Sequence, residues 1–176
     1  MSRSLVVLLA ACGALALAGA KGCASADQAD AARARRADFH ALCPLNVAHP
    51  AVVPVFDARR WSELLAGART VPPPYNKDAT DFRRDMIVVV ALANTPTPMT
   101  KAALDSEHPA RFDEASGLLS LRLAVQTTPL AAGRVGATVV GEPCLIAWLP
   151  VRSGVREVVA STTGDETIAR WKAPGR

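Results

Sequence analysis

The stretch DFRRDMIVVVALANTPTP, residues 81–98, decides how the rest of the chain is interpreted. It opens with charged residues, continues into an uninterrupted apolar run that starts at Met86, and ends in a turn rich in Pro and Thr. The apolar run is short, β-branched and bounded by turn residues, which is typical of a strand buried on both faces and too short for a membrane helix. Such a strand predicts a sheet that is packed beneath another layer.

Two further stretches indicate a domain rich in β-structure. Residues 144–151 form a second continuous apolar run, which contains Trp148. Residues 118–127 alternate strictly between apolar and polar or small side chains, with the apolar positions at Leu119, Leu121, Leu123 and Val125. An alternation of this length predicts a strand with one exposed face and one face in the core.

Shorter segments complete the predicted domain. Residues 51–56 predict an edge strand, because Pro54 has no N–H to donate to a second neighbour. Asp57 predicts the N-cap of a short helix over residues 58–66, which turns Trp61 toward the core. Further strands are predicted at 100–105, 111–113, 155–160 and 167–172. The predicted fold class is therefore mainly β: an antiparallel β-sandwich or barrel-like domain with one short helix.

The N-terminus has the features of an export signal. A basic residue, Arg3, precedes an apolar run from Leu5 to Ala20 that is followed by small residues. We therefore predict an export signal over 1–20, a tether over 21–41 and a β domain over 42–176. The tether is Ala-rich and polar, which favours a helix. The predicted location is the bacterial periplasm or the envelope membrane, and an uncleaved N-terminal anchor is the alternative.

The four cysteines fall into two groups. Cys12 and Cys23 are candidates for lipidation, although Cys12 comes early for a lipobox and Lys21 interrupts the motif before Cys23, so neither match is complete. Cys43 and Cys144 lie in the part of the chain that should fold. Because an exported chain meets an oxidising environment, a Cys43–Cys144 disulfide is predicted, with two buried free thiols as the alternative.

Known catalytic signatures do not occur in this sequence. It has no Gly-x-Ser-x-Gly, His-Glu-x-x-His or glycine-rich phosphate loop. His40, Cys43 and His49 form a loose group that lacks the second close pair of ligands typical of a metal site. A net charge of +4 with scattered basic residues and few aromatic residues disfavours nucleic-acid binding. We therefore expect a protein that is not an enzyme and that needs no cofactor or metal.

The turn after the first apolar run is the best candidate for a binding site. It comprises Asn94, Thr95, Pro96, Thr97, Pro98 and Met99. A loop that leaves a rigid, buried strand is well placed to bind a partner, although a turn that only reverses the chain is an equal alternative. The expected partner is a protein, with the membrane contacted through the lipid anchor. A small-molecule pocket between sheet and helix, near Trp61 and Trp148, is the competing hypothesis.

Several segments taken together carry a resemblance to a known family. They are Asp81-Phe82, the strand over 86–92, the Thr/Pro turn, the strand over 118–125, the loop through Pro129 and Gly133, and Glu142-Pro143-Cys144-Leu145-Ile146 in the strand that ends at Pro150. This arrangement, with Trp61 upstream, resembles the C-terminal domain of the PrcB protease-complex-subunit family over roughly residues 50–150.

The resemblance implies an exported, often lipid-anchored β domain that accompanies a protease. The family usually has Gly-Gly-Tyr where this chain has Thr97-Pro98-Met99, so a contact made by that turn does not carry over. The Thr/Pro loop is also similar to the binding loops of chagasin-type cysteine-protease inhibitors, which implies an inhibitor-like module as a variant of the same hypothesis.

Overall fold

The computed structural model describes residues 34, 36–41, 43, 45, 47–67, 80–92, 100–127 and 142–175. Within these residues the protein is mainly β, as predicted, with two sheets and one short helix. The elements are β1 (Arg36–His40), β2 (Ala51–Val55), α1 (Ala58–Ala66), β3 (Asp85–Ala91), β4 (Thr100–Leu104), β5 (Ala110–Asp113), β6 (Leu118–Thr127), β7 (Cys144–Pro150), β8 (Glu157–Thr162) and β9 (Thr167–Lys172). A helix long and apolar enough to cross a membrane does not occur in the described ranges.

The strands form two sheets. Sheet 1 has the order β1-β7-β3-β2, and every neighbouring pair in it is antiparallel. Sheet 2 has the order β4-β6-β8-β9, with β5 also paired to β6. In sheet 2 the strands β6 and β8 are parallel, so the arrangement is mixed rather than purely antiparallel. The cause is the path of the chain, which crosses to sheet 1, runs back as β7 and then returns to sheet 2.

The main core lies between the two sheets. Sheet 2 contributes Leu119, Leu121 and Leu123, which are 0–1% exposed, as the alternation in β6 predicts. Val125 continues this alternation but is 36% exposed. The difference arises because the pairing of β8 with β6 ends at Leu123, so the last residues of β6 extend beyond that neighbour.

Sheet 1 is covered on both faces. Its inward side chains belong to the core between the sheets, and its outward side chains pack with α1 in a second apolar cluster. In β3, every residue from Met86 to Ala91 is at most 2% exposed, and in β7 the residues from Cys144 to Ala147 are at most 1% exposed. The prediction that the two apolar runs are strands buried on both faces is confirmed for these residues, whereas Val151, the last residue of the second run, lies after β7 and is 38% exposed.

The helix forms where the sequence predicts it. The Asp57 side chain accepts a hydrogen bond of 2.8 Å from the Arg60 amide and so caps the N-terminus of α1. Gly67 lies at the C-cap, and its N–H donates to the Glu63 carbonyl. Trp61 and Leu65 are each 3% exposed, and they fix the helix on sheet 1 through its outward side chains.

The first strand was not predicted. Residues 36–40 were assigned to a helical tether that ends at 41, but they form β1 and pair with β7 at the edge of sheet 1. Within β1, Ala37 and Phe39 alternate with polar residues, and Phe39 packs against the core between the sheets. The tether prediction is therefore wrong for these five residues, because pairing and core burial outweigh the helix propensity of a short Ala-rich segment.

The edges of the two sheets lie close to one another. Strand β1 contacts β4 along one side of the sandwich, and β2 contacts β8 and β9 along the other. At the second side, the rings of Phe56 and Trp171 are 6.3 Å apart between centroids and tilted by 52°. These contacts bring the sandwich close to a barrel, the other form that the sequence predicted. Pro54 lies in β2 at the edge of sheet 1, as expected.

Replacing Gly117 with alanine should lower the free energy of unfolding by about 2 kcal/mol or more, because two penalties combine. Gly117 has a φ of +71°, and an added Cβ would lie 2.4 Å from the Gly154 carbonyl oxygen. Gly154→Ala is the first control, since its φ is +83° but no atom lies within 4 Å of the added Cβ. Gly67→Ala, at a φ of −80°, is the second control.

Urea unfolding of the three variants measures the effect. We expect losses in the order Gly117, Gly154, Gly67, with Gly154→Ala costing about 1–2 kcal/mol and Gly67→Ala close to zero. Equal losses for Gly117→Ala and Gly154→Ala would show that the close approach of the two turns contributes nothing.

Candidate functional site

Two long connections of the chain leave the sandwich at the same end. The other end carries the short connection between β7 and β8, residues 151–156. There the Arg156 N–H donates a 2.8 Å hydrogen bond to the Gly117 carbonyl. Strands β3 and β6 both begin at that end and β7 finishes there. Consequently β3 and β6 finish at the opposite end, which we call the loop end, and β7 begins there.

The strand ends at the loop end are paired across each sheet. In sheet 1, Ala91 at the end of β3 pairs with Cys144 at the start of β7. In sheet 2, Thr100 at the start of β4 pairs with Thr127 at the end of β6. The segments 92–99 and 128–143 each connect one of these pairs to the other along the chain, and most of their residues lie outside the described ranges.

The six predicted binding residues, Asn94, Thr95, Pro96, Thr97, Pro98 and Met99, lie outside the described residues. The points at which their segment joins the fold are described. On one side the Leu92 N–H donates a 2.9 Å hydrogen bond to the Pro143 carbonyl, and on the other Thr100 is only 8% exposed. Both ends of the segment are therefore held by the fold. Cys12 and Cys23 also lie outside the described residues.

Cys43 and Cys144 meet beside the loop end. Cys144 is 0% exposed and Cys43 is 7% exposed, and both belong to the apolar cluster between sheet 1 and α1. The Cys43 N–H donates a 2.8 Å hydrogen bond to the Glu142 carbonyl, and this bond holds Cys43 against the start of β7. Both are free thiols, so the predicted disulfide is not present in the structure. The alternative fits, because buried free cysteines pack as small apolar side chains.

The contact with Cys43 affects the protonation of Cys144. A hydrogen bond with Cys43, together with burial, raises the pKa of Cys144 far above its ordinary value. Since the thiolate is the reactive form of cysteine, Cys144 remains a protonated and unreactive group at neutral pH. The pair is therefore arranged as a packed structural contact and not as a nucleophile with its base.

The thiols should be protected in the folded chain and fully reactive once it unfolds. We expect a maleimide, added without reductant to a Cys12→Ser/Cys23→Ser variant, to leave Cys144 unmodified in buffer and to label both remaining cysteines in urea. Burial and the raised pKa both suppress the thiolate at Cys144. Mass spectrometry counts the labels. A chain that takes up no label in urea would carry a disulfide, and rapid labelling of Cys144 in buffer would contradict its burial.

Sequence reasoning missed a polar column on β1. Arg36, Asp38 and His40 occupy alternate positions and so share a face, beside Trp148 and Cys144 of β7, to which Arg36 and His40 are register partners. Arg36 forms an ion pair with Asp38, and its guanidinium carbon lies 4.9 Å from the centroid of the Trp148 ring. The alternation of polar residues with Ala37 and Phe39 was the available signal, but five residues are too few to separate it from a tether.

The contacts around this polar column affect the protonation of His40 and orient the Trp148 ring. Burial lowers the pKa of His40, and the nearby Asp38 carboxylate opposes that shift. The Trp148 Nε1–H donates a 2.9 Å hydrogen bond to Thr80 Oγ1. Trp61, which the competing small-molecule hypothesis names, is packed into the apolar cluster between α1 and sheet 1. Among the described residues, no three His, Cys, Asp or Glu side chains are grouped to hold a metal ion.

Comparison with known proteins adds no relative. A scan against family models found no match, and neither the curated proteins nor the solved structures include one that matches this chain. The resemblance to the PrcB family therefore depends on the residues quoted from the sequence alone. The family of this chain is not shown, and what its geometry supports is a mainly β sandwich with two long connections at one end.

Proposed function

We propose that this protein is a non-enzymatic binding module of the bacterial envelope that recognises a protein partner through residues 94–99. The observation that carries the proposal is that the four strand ends joined by the segments 92–99 and 128–143 all lie at one end of the sandwich. Both are attached to strand ends that pair within their sheets. Long connections on a rigid scaffold are a common way to build a recognition surface.

The rigidity of the base supports this proposal. Strands β3 and β7 are central in sheet 1, and both are covered on their two faces. The residues where the first segment leaves and returns are also fixed, through the Leu92–Pro143 hydrogen bond and the buried Thr100. A binding segment anchored in this way loses less conformational entropy when it meets its partner, because its two ends are already positioned.

The nature of the partner is inferred from the sequence. An export signal over 1–20 would bring the domain to the periplasm or the envelope membrane, held there by lipid if Cys12 or Cys23 is modified. The resemblance to the PrcB family supports a protease, or another envelope protein, as the partner. In this proposal the domain assists or restrains the protease and performs no chemistry itself.

A cross-linking experiment with matched variants tests the binding segment. The full-length chain would be expressed in a bacterial envelope and cross-linked, and the captured proteins would be compared for wild type and Thr95→Asp/Thr97→Asp. The control is Ala115→Asp/Ser153→Asp, which adds the same charge at exposed turns of the opposite end. We expect at least one protease or other envelope protein to be lost in the first variant and kept in the control. Identical sets of partners would remove residues 94–99 from the proposal.

The mature N-terminus tests the proposed location separately. Mass spectrometry of the protein recovered from envelopes should show cleavage after Ala18 or Ala20, or a lipid-modified N-terminal cysteine at Cys12 or Cys23. A chain recovered with residues 1–20 intact would contradict cleavage and would favour the uncleaved anchor. The same spectrum reports the state of the cysteines that the mature chain retains.

A further inference from the structure

The outward face of sheet 2 differs from that of sheet 1. In β4, β5, β6, β8 and β9 the side chains that alternate with the core are half-buried or exposed. The helix that covers the outward face of sheet 1 lies on the opposite side of the sandwich. We call the outward positions of sheet 2 the basic face, because their charges are mostly positive.

Five cations occupy the basic face, one each from β4, β5 and β6 and two from β9. They are Lys101, Arg111, Arg122, Arg170 and Lys172. Two acidic residues, Asp113 and Glu157, share these outward strand positions, and Asp165 of the turn between β8 and β9 contacts Arg122 from the edge of the face. Apart from the outward strand positions, the described residues carry seven arginines and eleven acidic side chains, Asp165 included, so positive charge is concentrated on the strands of this face.

The register fixes how the cations are spread. Arg111 pairs with Ser120, Ser120 pairs with Val159, and Val159 pairs with Arg170, so the two arginines stand at the ends of a row that crosses four strands. At about 4.8 Å between strands, their backbones are about 14 Å apart. The cations are therefore distributed over a broad surface and are not gathered around one small anion.

The ion pairs on this face are open to exchange. Arg170 lies 3.0 Å from Glu157, and Arg122 lies 3.2 Å from Asp165, whose side chain is 81% exposed. Surface pairs of this kind are weak, so phosphate groups can compete with the carboxylates. The Arg122 side chain also donates a 2.6 Å hydrogen bond to the Thr163 carbonyl, and this bond holds the guanidinium of Arg122 near the surface.

We propose that the basic face rests on an anionic phospholipid bilayer. The charge is complementary to acidic headgroups, and the cations are spread too widely to hold one small anion. The outward positions of these strands carry no aromatic ring on which a base could stack, which disfavours single-stranded nucleic acid. The inference rests on the proposed envelope location but not on residues 94–99, so the cross-linking experiment and the vesicle experiment can fail independently.

Vesicle binding of the purified full-length chain tests the proposal. At about 50 mM salt, we expect partition onto vesicles with about 30% phosphatidylglycerol to exceed partition onto pure phosphatidylcholine by about tenfold or more, with most of the difference lost at about 0.5 M salt. The ratio between the two vesicles is the readout, because residues 1–20 can insert into both. A ratio near one would overturn the proposal.

Charge-reversal variants locate the contact. Lys101→Glu/Arg111→Glu should reduce the ratio by about tenfold, because two side chains that attract the acidic headgroups are replaced by two that repel them. Arg83→Glu/Arg84→Glu makes the same change at two exposed residues of the turn before β3, outside the basic face, and should alter the ratio by less than about twofold. Lys101→Gln/Arg111→Gln should give an intermediate loss, with circular dichroism confirming the fold of each variant.

The remaining outcomes contradict the proposal. Equal losses in both charge-reversed variants would show an attraction to the net charge and not to this face. Soluble polyphosphate that binds as tightly as the acidic vesicles, and displaces the chain from them, would show that the face takes a polyanion and not a bilayer.

Discussion

Replacing Trp61 with alanine should lower the free energy of unfolding by about 3–5 kcal/mol, the usual loss for a large buried aromatic side chain. Trp61 is 3% exposed and belongs to the apolar cluster formed with the outward side of sheet 1. Its neighbours include Val55 and Ile87, which are both 0% exposed. Removing the ring leaves a cavity beneath α1 that the rigid sheet cannot fill, and this is the reason for the large effect.

The control for this prediction is Arg59→Ala on the same helix. The Arg59 side chain is 89% exposed, and its ion pair with Glu63 is a surface contact. We expect a loss of about 0.5 kcal/mol or less from this variant. Urea unfolding compares the two free energies, and a dye that binds apolar surface reports whether α1 leaves the sheet. A loss below about 1 kcal/mol for Trp61→Ala would mean that α1 does not cover sheet 1 as described.

Replacing Leu121 with alanine should cost about 2–5 kcal/mol, because its side chain is 0% exposed in the core between the sheets. Val125→Ala is the matched control on the same strand. Val125 follows the same alternation, but it is 36% exposed. We expect it to cost less than about 1 kcal/mol.

This pair separates the sequence pattern from the structure. The alternation alone predicts that Leu121 and Val125 are equally buried, whereas the end of the β8 pairing at Leu123 predicts unequal losses. Thermal or urea unfolding distinguishes the two. Losses that agree within about 0.5 kcal/mol, after allowance for side-chain size, would contradict the exposure of Val125.

The strands and the helix were largely predictable, because the signals for them are local. The run that begins at Met86 is continuous and mostly β-branched, the run that begins at Cys144 is continuous and apolar, and both form buried strands. The helix over Ala58–Ala66 has its cap, its apolar face and its final Gly within one short segment. Patterns of this length suffice for elements of secondary structure.

Features that depend on distant residues were not predictable. β1 forms because Phe39 and its neighbours pair with residues about a hundred positions away, in β7. The parallel pairing of β6 with β8 follows from a crossing to the other sheet, which no local signal records. The disulfide prediction for Cys43 and Cys144 rests on their place in the folded part of an exported chain, and this argument carries no information on whether the two are bonded. The binding residues 94–99 remain a prediction, as do lipidation and export.

The contacts of β1 with β4 and of β2 with β9 have a consequence for the behaviour of this protein in a concentrated solution. Strands whose free backbone groups face open water recruit strands from other molecules, and this is the first step toward insoluble fibrils. Here the outermost strands of sheet 1 each lie against a strand of sheet 2, and β2 also contains Pro54, which has no N–H to offer. The outermost strands of sheet 1 should therefore pair with a second molecule less readily than uncovered edge strands would.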